Sequence, residues 1–231
     1  MLKFDSVSFV VQGKKILDTL SFEVLPQEVV AILGPSGAGK STIFRLLTAE
    51  RKPTEGAIFL DALAINDLSW LSVQEYRRQI GVVYQDFKLL AHKTVYQNVA
   101  YALEVCGEES LIDKVVPNVL KRVGLWDLRA AFPENLSGGE SQRVAIARAL
   151  VHNPKILIAD EATGNLDPKN SREIAELFRY LNQEIGLTIL FSTHDPVLVE
   201  NLSPRVIRID DGKISFDQKN CDRATAFAGM I

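Results

Sequence analysis

The feature that most constrains this chain is the octapeptide at residues 34–41, which reads GPSGAGKS and fits the pattern G-x-x-x-x-G-K-[ST]. The apolar run 29–33 before it predicts a buried strand, and the apolar spacing over 42–47 predicts a helix behind it. A glycine-rich loop between a strand and a helix turns several backbone N–H groups toward one anion, at the positive end of the helix. The sequence therefore predicts a phosphate site formed by Gly34, Pro35, Ser36, Gly37, Ala38, Gly39, Lys40, Ser41 and Thr42.

Two side chains of this loop have specific expected roles. Lys40 would reach the β- and γ-phosphates of a nucleoside triphosphate, and the Ser41 hydroxyl would be a ligand of Mg²⁺. The alternative is a glycine-rich turn that merely ends a core strand. The complete motif in its strand–loop–helix setting favours nucleotide binding.

The bulk composition excludes several classes of function. The chain has 231 residues, 47% of them hydrophobic, and its 26 basic and 29 acidic residues give a formal net charge of −3. A large basic face for nucleic acid is therefore not expected. No apolar stretch reaches the length of a membrane span, the N-terminus does not resemble a signal peptide, and there are only two cysteines, Cys106 and Cys221. We expect a soluble intracellular protein that does not bind nucleic acid.

The alternation of strand and helix patterns predicts an α/β fold with a mainly parallel sheet covered on both faces. Short antiparallel strands are expected before the phosphate loop, and the later pattern predicts strands at 56–61, 80–84, 155–159 and 188–191, helices at 137–151 and 171–183, and a hairpin around 211–212. Residues 86–135 read as a helical insertion, in which Thr94 and Gln97 form a capping box. We therefore expect one domain, 1–231, with a core of 1–85 and 136–231 and a helical subdomain of 86–135.

Two carboxylates end one of the predicted strands. Asp160 and Glu161 follow the apolar run 156–159 directly. Because ligands of open parallel sheets bind beyond the carboxyl ends of the strands, Asp160 is placed to hold Mg²⁺, directly or through water, and Glu161 to face the attacking water as a base or positioning group. An acidic N-cap is the alternative reading, which the phosphate loop upstream disfavours.

A second glycine-rich site is predicted at residues 136–140. Ser137 and Glu140 form a capping box, so a helix is expected to begin there. Capping does not explain Gly138 and Gly139, which lower the stability of a helix start. Two adjacent glycines are useful where an anion must approach the backbone closely, and the segment therefore predicts a second phosphate site.

Two further polar residues follow apolar strands. Gln85 follows the run 80–84, where it would bind Mg²⁺ or sense the γ-phosphate, although a lone surface glutamine needs no function. His194 follows the strand at 188–191, where it would donate a hydrogen bond to the γ-phosphate, although an isolated histidine is more often an ordinary loop residue.

Taken together, these motifs resemble those of the ATPase subunits of ATP-binding cassette (ABC) transporters over nearly the whole chain. The matching elements are the Walker A loop 34–42, the Q-loop residue Gln85, the LSGGE signature 136–140, the Walker B carboxylates Asp160 and Glu161, the D-loop 165–167 and the switch residue His194. The resemblance implies the fold of this family: a phosphate-loop NTPase core, an N-terminal antiparallel β subdomain and an inserted α-helical subdomain.

The resemblance also implies partners. It implies a head-to-tail homodimer that closes on two ATP molecules with Mg²⁺, each held between the Walker A loop of one subunit and the signature of the other. Within the family, segments 82–90, 93–100 and 162–167 are similar to the ATPases of cell division. That branch implies an integral membrane subunit that docks on the helical subdomain at the cytoplasmic face of the plasma membrane, with control of peptidoglycan hydrolysis. The alternative branch contains the lipoprotein-release and macrolide-export ATPases.

The sequence departs from the family pattern at two positions. Val11 stands where the family usually has an aromatic residue that stacks on adenine, so only apolar contact with the base is available unless Phe9 substitutes. Ala162 stands where proline usually follows the catalytic glutamate. Both Walker B carboxylates are present, so hydrolysis is expected.

Two other functions are possible for a chain with these motifs. One is a soluble ABC-type ATPase acting on DNA or ribosomes, which would usually carry a coiled coil or tandem cassettes. The other is a degenerate cassette that only binds nucleotide.

Overall fold

The computed structural model describes residues 1–161 and 167–227, which form ten strands and eight α-helices. The strands are β1 (Leu2–Val11), β2 (Lys14–Val24), β3 (Val29–Leu33), β4 (Glu55–Leu60), β5 (Leu63–Ala64), β6 (Ile80–Val83), β7 (Ile156–Ala159), β8 (Thr188–Ser192), β9 (Arg205–Asp210) and β10 (Lys213–Gln218). The helices are α1 (Lys40–Leu47), α2 (Trp70–Arg78), α3 (Val95–Val105), α4 (Ile112–Arg122), α5 (Gly138–Leu150), α6 (Pro168–Gln183), α7 (Pro196–Leu202) and α8 (Arg223–Ala226).

The central sheet has the order β10-β9-β3-β8-β7-β6, and all its pairs are parallel except the β9–β10 hairpin. In register, Val83 lies opposite Ala159, and Ala159 opposite Phe191. The carboxyl ends of β3, β6, β7 and β8 therefore lie at one edge of the sheet. This edge carries the phosphate loop, Gln85, the two Walker B carboxylates and His194.

The second sheet has the order β2-β1-β4-β5 and is antiparallel. The antiparallel N-terminal strands are confirmed, but the prediction of short strands was wrong, because β1 and β2 are 10 and 11 residues long. Their ladder contains register shifts, which bend the long strands and break up the alternation of the sequence.

Both faces of the central sheet are buried. In β3, Ala31 and Leu33 belong to a core formed with the helices, whereas Val30 and Ile32 belong to a second core formed with the antiparallel sheet and α1. Successive side chains of a strand point to opposite faces, so a strand covered on both sides is apolar at every position. The continuous apolar runs of the sequence have this origin.

The segment 86–135 contains α3 and α4 together with short 3₁₀ turns. Thr94 and Gln97 form the predicted capping box at the start of α3. Phe87 and Leu89 pack, partly buried, against the helix-side core. Pro117 lies inside α4.

Three helices were not predicted: α2, α7 and the four-residue α8. In α2 only Tyr76 is buried, while Trp70 and Leu71 are 76% and 70% exposed, so no apolar periodicity reveals the helix. In α7 the seven residues are too few for a periodic signal. No helix in the described part of the chain is long and apolar enough to cross a membrane.

Candidate nucleotide-binding site

The phosphate loop joins β3 to α1, as the sequence predicted. Gly39 is the N-cap of α1 and has a φ of +105°. A Cβ atom there would lie 2.6 Å from Leu17 Cδ2 and 3.2 Å from the Ile16 carbonyl oxygen. The loop can therefore follow this path, close against β2, only with glycine at this position.

Lys40 is buried, and its ammonium donates hydrogen bonds to the carbonyl oxygens of Gly34, at 2.7 Å, and Pro35, at 3.1 Å. Burial lowers the pKa of Lys40, while the negative charges of Glu161 and Asp160 oppose that shift. A buried cation whose partners among the described residues are neutral carbonyls is suited to an anionic ligand. The loop thus fits the phosphates of a nucleotide.

A cavity of about 310 Å³ opens onto the loop. The structure brings together here residues that lie far apart in the chain, since Gln85 and Glu161 face the same space as the loop. The lining residues are Ile16, Ser36, Gly37, Gly39, Lys40, Ser41, Thr42, Gln85 and Glu161.

A neighbouring cavity of about 320 Å³ shares Ser41 and Gln85 with the first and also reaches Asp160. A hydroxyl, an amide and a carboxylate are oxygen donors of the kind that Mg²⁺ binds. The three predicted metal ligands thus line one space, and their chemistry fits this ion.

The Walker B carboxylates follow β7, and each is fixed to the neighbouring strand β8. The Ser192 hydroxyl donates to Asp160 Oδ1 at 2.8 Å and accepts the Glu161 backbone N–H at 2.9 Å. Glu161 has a φ of +48°, a left-handed conformation that is uncommon outside glycine. With this backbone conformation, Glu161 Oε1 lies 3.0 Å from His194 Nε2.

The segment after Gln85 is held from α3 and α5. Phe87 and Lys88 both have positive φ, and Arg148 on α5 donates to their carbonyl oxygens, at 2.7 Å each. Asn98 on α3 is fully buried and bonds both the N–H and the carbonyl of Leu90.

Sequence reasoning missed Ser192, Arg148 and Asn98. Each is a polar side chain within the apolar pattern of a helix or strand, and this was the only signal available in the sequence. The role of each side chain could not be predicted, because its partner belongs to a strand or loop that is distant in sequence.

The signature segment lies at the start of α5. Ser137 and Glu140 form the predicted capping box. Glu140 accepts from both the hydroxyl and the N–H of Ser137, which lowers its pKa. Gly138 is exposed, and Gly139 packs so closely on α6 that a Cβ would lie 2.8 Å from Asn170 Cγ. Among the described residues lining the two cavities, none comes from 137–140.

Val11, the last residue of β1, is 44% exposed and does not line the cavity at the phosphate loop; the apolar residue there is Ile16. Phe9 is partly buried against the core beside the antiparallel sheet. Ala162 and the first two D-loop positions lie outside the described residues. The third, Asp167, is the N-cap of α6 and accepts the Asn170 N–H.

Comparison with known proteins places this site in a family. The profile of the ABC transporter family matches residues 17–164. The chain belongs to the ABC transporter family, as an ATPase of the cassette type.

The similar proteins include cell-division ATPases. The chain is 45% identical to the cell division ATP-binding protein FtsE of Mycobacterium tuberculosis over 90% of each chain. It is 48% identical to FtsE of Streptococcus pneumoniae over 89% of this chain and 90% of that protein.

Solved cassettes share the fold. A dimeric structure of the ATP-binding cassette MJ0796, in a post-hydrolysis state bound to ADP and Pi, matches with a TM-score of 0.84 at 34% identity, covering 96% of this chain and 99% of the other. The protein cbiO1 of Clostridium perfringens, part of the ABC transporter complex cbiONQ, matches with a TM-score of 0.85 at 33% identity, covering 99% and 91%. The predicted α/β fold, with its mainly parallel sheet and N-terminal antiparallel sheet, is confirmed.

Proposed function

We propose that this chain hydrolyses ATP at the edge of the central sheet described above, and that it is the ATPase subunit of a membrane complex acting in cell division. The observation that carries the proposal is the convergence of the phosphate loop, Gln85 and Glu161 on one cavity. The similarity to FtsE over nine-tenths of the chain supports the assignment to cell division.

The loop residues 34–42 would hold the phosphates through backbone N–H groups, with Lys40 neutralising charge on the β- and γ-phosphates. Ser41, Gln85 and Asp160 would hold Mg²⁺. Held there, it would supply positive charge beside the phosphates during hydrolysis. Val11 would make only apolar contact with the base.

Glu161 would orient the attacking water and accept its proton. His194 Nε2 lies within hydrogen-bonding distance of Glu161 Oε1, so its N–H can orient this carboxylate. When nucleotide is bound, the same N–H would donate to the γ-phosphate instead.

A second copy of the chain would complete the site. Residues 137–140 form a helix N-terminus with an exposed glycine, and none of them is among the described residues that line the two cavities. We infer that they contact the γ-phosphate bound to the partner subunit in an ATP-bound homodimer. The dimeric structures of the cassette MJ0796 support a homodimer.

The membrane partner would be an FtsX-like integral subunit docked on the helical subdomain 86–135, with the core formed by 1–85 and 136–231. The complex would lie at the cytoplasmic face of the plasma membrane, and this chain would be peripheral to it. The net charge of −3 gives no support to a nucleic-acid partner.

The test begins with the purified chain, which should release phosphate from ATP only when Mg²⁺ is present. Lys40→Ala should lower turnover by about a hundredfold, because the phosphates lose their buried cation. Lys52→Ala, at an exposed lysine, is the matched control and should behave as wild type. Equal turnover in the Lys40→Ala variant would contradict the assignment of the site.

The cellular role needs a separate measurement. Depletion of the protein in its source organism should lengthen the cells, and a plasmid-borne wild-type copy should restore division. Normal cell length after depletion would contradict the cell-division role and leave the ATPase assignment intact.

A further inference from the structure

Ser192 is the last residue of β8, and only 1% of its surface is exposed. It lies opposite Ile32 of β3, the strand that leads into the phosphate loop. On its other side, β7 ends in the Walker B carboxylates. The hydroxyl therefore lies between the strand that feeds the phosphate loop and the strand that feeds the metal site.

The hydrogen bonds of this hydroxyl have defined directions. The Glu161 backbone N–H can only donate, so Ser192 Oγ accepts from it, at 2.9 Å. The hydroxyl hydrogen is left to donate to Asp160 Oδ1, at 2.8 Å. One buried side chain thus fixes the rotation of the first carboxylate and the backbone of the second.

Both effects concern groups that have other conformations available. A carboxylate held through one oxygen has its second oxygen in a defined direction, whereas a free aspartate side chain samples several rotamers. Glu161 holds a left-handed backbone, which persists in a non-glycine residue only when its surroundings impose it. The bond from its N–H to Ser192 is one such constraint.

We propose that Ser192 is a positioning residue for the metal site: its hydroxyl orients Asp160 toward Mg²⁺ and holds Glu161 in the conformation that faces the phosphates. This inference rests on the proposed role of Asp160. It adds a determinant of metal affinity that lies on β8, the strand before His194, rather than in the Walker B segment.

The test compares Ser192→Ala, Asp160→Asn and the double variant. Ser8→Ala is the matched control, since Ser8 is also buried and accepts one backbone N–H, from Thr19, but lies in β1. Each protein is loaded with a non-hydrolysable ATP analogue, and Mn²⁺ affinity is measured by electron paramagnetic resonance. Thermal unfolding and the Mg²⁺ dependence of ATP turnover are recorded in parallel.

Ser192→Ala should weaken Mn²⁺ binding on the order of tenfold, as is typical when a partner of a metal ligand is removed. The Mg²⁺ concentration for half-maximal turnover should rise, while the affinity for the analogue without metal stays unchanged. In the Asp160→Asn background, Ser192→Ala should have no further effect on Mn²⁺ binding. Ser8→Ala should change unfolding only.

Unchanged Mn²⁺ affinity in Ser192→Ala, or equal effects in both backgrounds, would overturn the inference. Both results leave the ATPase proposal standing if the wild type hydrolyses ATP with Mg²⁺ and Asp160→Asn does not. A wild type without turnover would instead contradict the proposed function.

Discussion

Glu161 Oε1 and His194 Nε2 lie 3.0 Å apart, although the two residues belong to the ends of different strands. The parallel pairing of β7 with β8 brings these ends together, and Ser192, which holds the Glu161 backbone, is the last residue of β8, the strand that His194 follows. The carboxylate that would orient water thus has its backbone fixed by the end of β8 and its side chain in contact with the loop that follows β8.

Replacement of His194 by alanine should lower ATP turnover about a hundredfold, because Glu161 loses its orienting partner and the γ-phosphate loses a donor. ATP affinity should change little, since the loop residues remain. Steady-state phosphate release and equilibrium binding of a fluorescent ATP analogue measure the two effects. His92→Ala, at an exposed histidine, is the control. Turnover equal to that of the wild type would contradict a role of His194 in hydrolysis.

Alanine at Gly39 and at Gly37 should have unequal effects. Both glycines have positive φ, but a Cβ at Gly37 meets no atom within 4 Å, whereas at Gly39 it meets Leu17 and Ile16. We expect Gly37→Ala to cost about 1–2 kcal/mol through the backbone alone. Gly39→Ala should cost about 3 kcal/mol or more, because the collision adds to the strain. Urea unfolding gives both values, and equal costs would contradict the described loop path.

Arg148→Ala, which removes the guanidinium, should destabilise the segment after Gln85. The carbonyl oxygens of Phe87 and Lys88 would lose their charged donor, at a cost of about 2–3 kcal/mol. Burial lowers the pKa of Arg148, which means that burying its positive charge is unfavourable. The charge is nevertheless kept there, where it makes these two hydrogen bonds. A lysine at this position would not be equivalent, because the two carbonyls need a forked donor; Arg148→Lys should therefore restore only part of the stability. Arg122→Ala, at an exposed arginine, should be nearly neutral in urea unfolding.

The stability contributed by Asp61 should disappear in acid. Hydrogen bonds from Lys155 and from the N-terminal ammonium lower the pKa of Asp61 to about 2. The unfolded value is about 3.9, so this contribution is complete above pH 5 and is lost as the pH falls toward 2.

Asp61→Asn should therefore lower the melting temperature at pH 7, and the difference from wild type should shrink between pH 5 and pH 2. Asp67→Asn, at another exposed aspartate, should show no such convergence. A difference that stays constant with pH would contradict the ion pairs of Asp61.

Much of the fold and of the site could be predicted from patterns within short segments of the sequence. Both capping boxes, at Thr94 and Ser137, depend on residues three positions apart, and the structure contains both. The strand–loop–helix path of the phosphate loop likewise follows from adjacent segments. Such features need no knowledge of distant contacts.

The undetected features depend on tertiary contacts. The role of Ser192 depends on its contact with the end of β7, which is more than 30 residues away in the chain. The role of Arg148 depends on a loop 60 residues away. Helix α2 was missed for a different reason. Its exposed Trp70 and Leu71 violate the rule that apolar residues of a surface helix face the core.

The most direct test of the account is Glu161→Gln, which keeps the shape of the side chain but removes its ability to accept a proton. Phosphate release should fall by about a hundredfold or more. Nucleotide binding should persist, and with ATP and Mg²⁺ the variant should accumulate as a dimer in analytical ultracentrifugation. Glu173→Gln, at a partly exposed glutamate of α6, is the control for turnover. Undiminished phosphate release in Glu161→Gln would contradict the central claim that this carboxylate drives ATP hydrolysis.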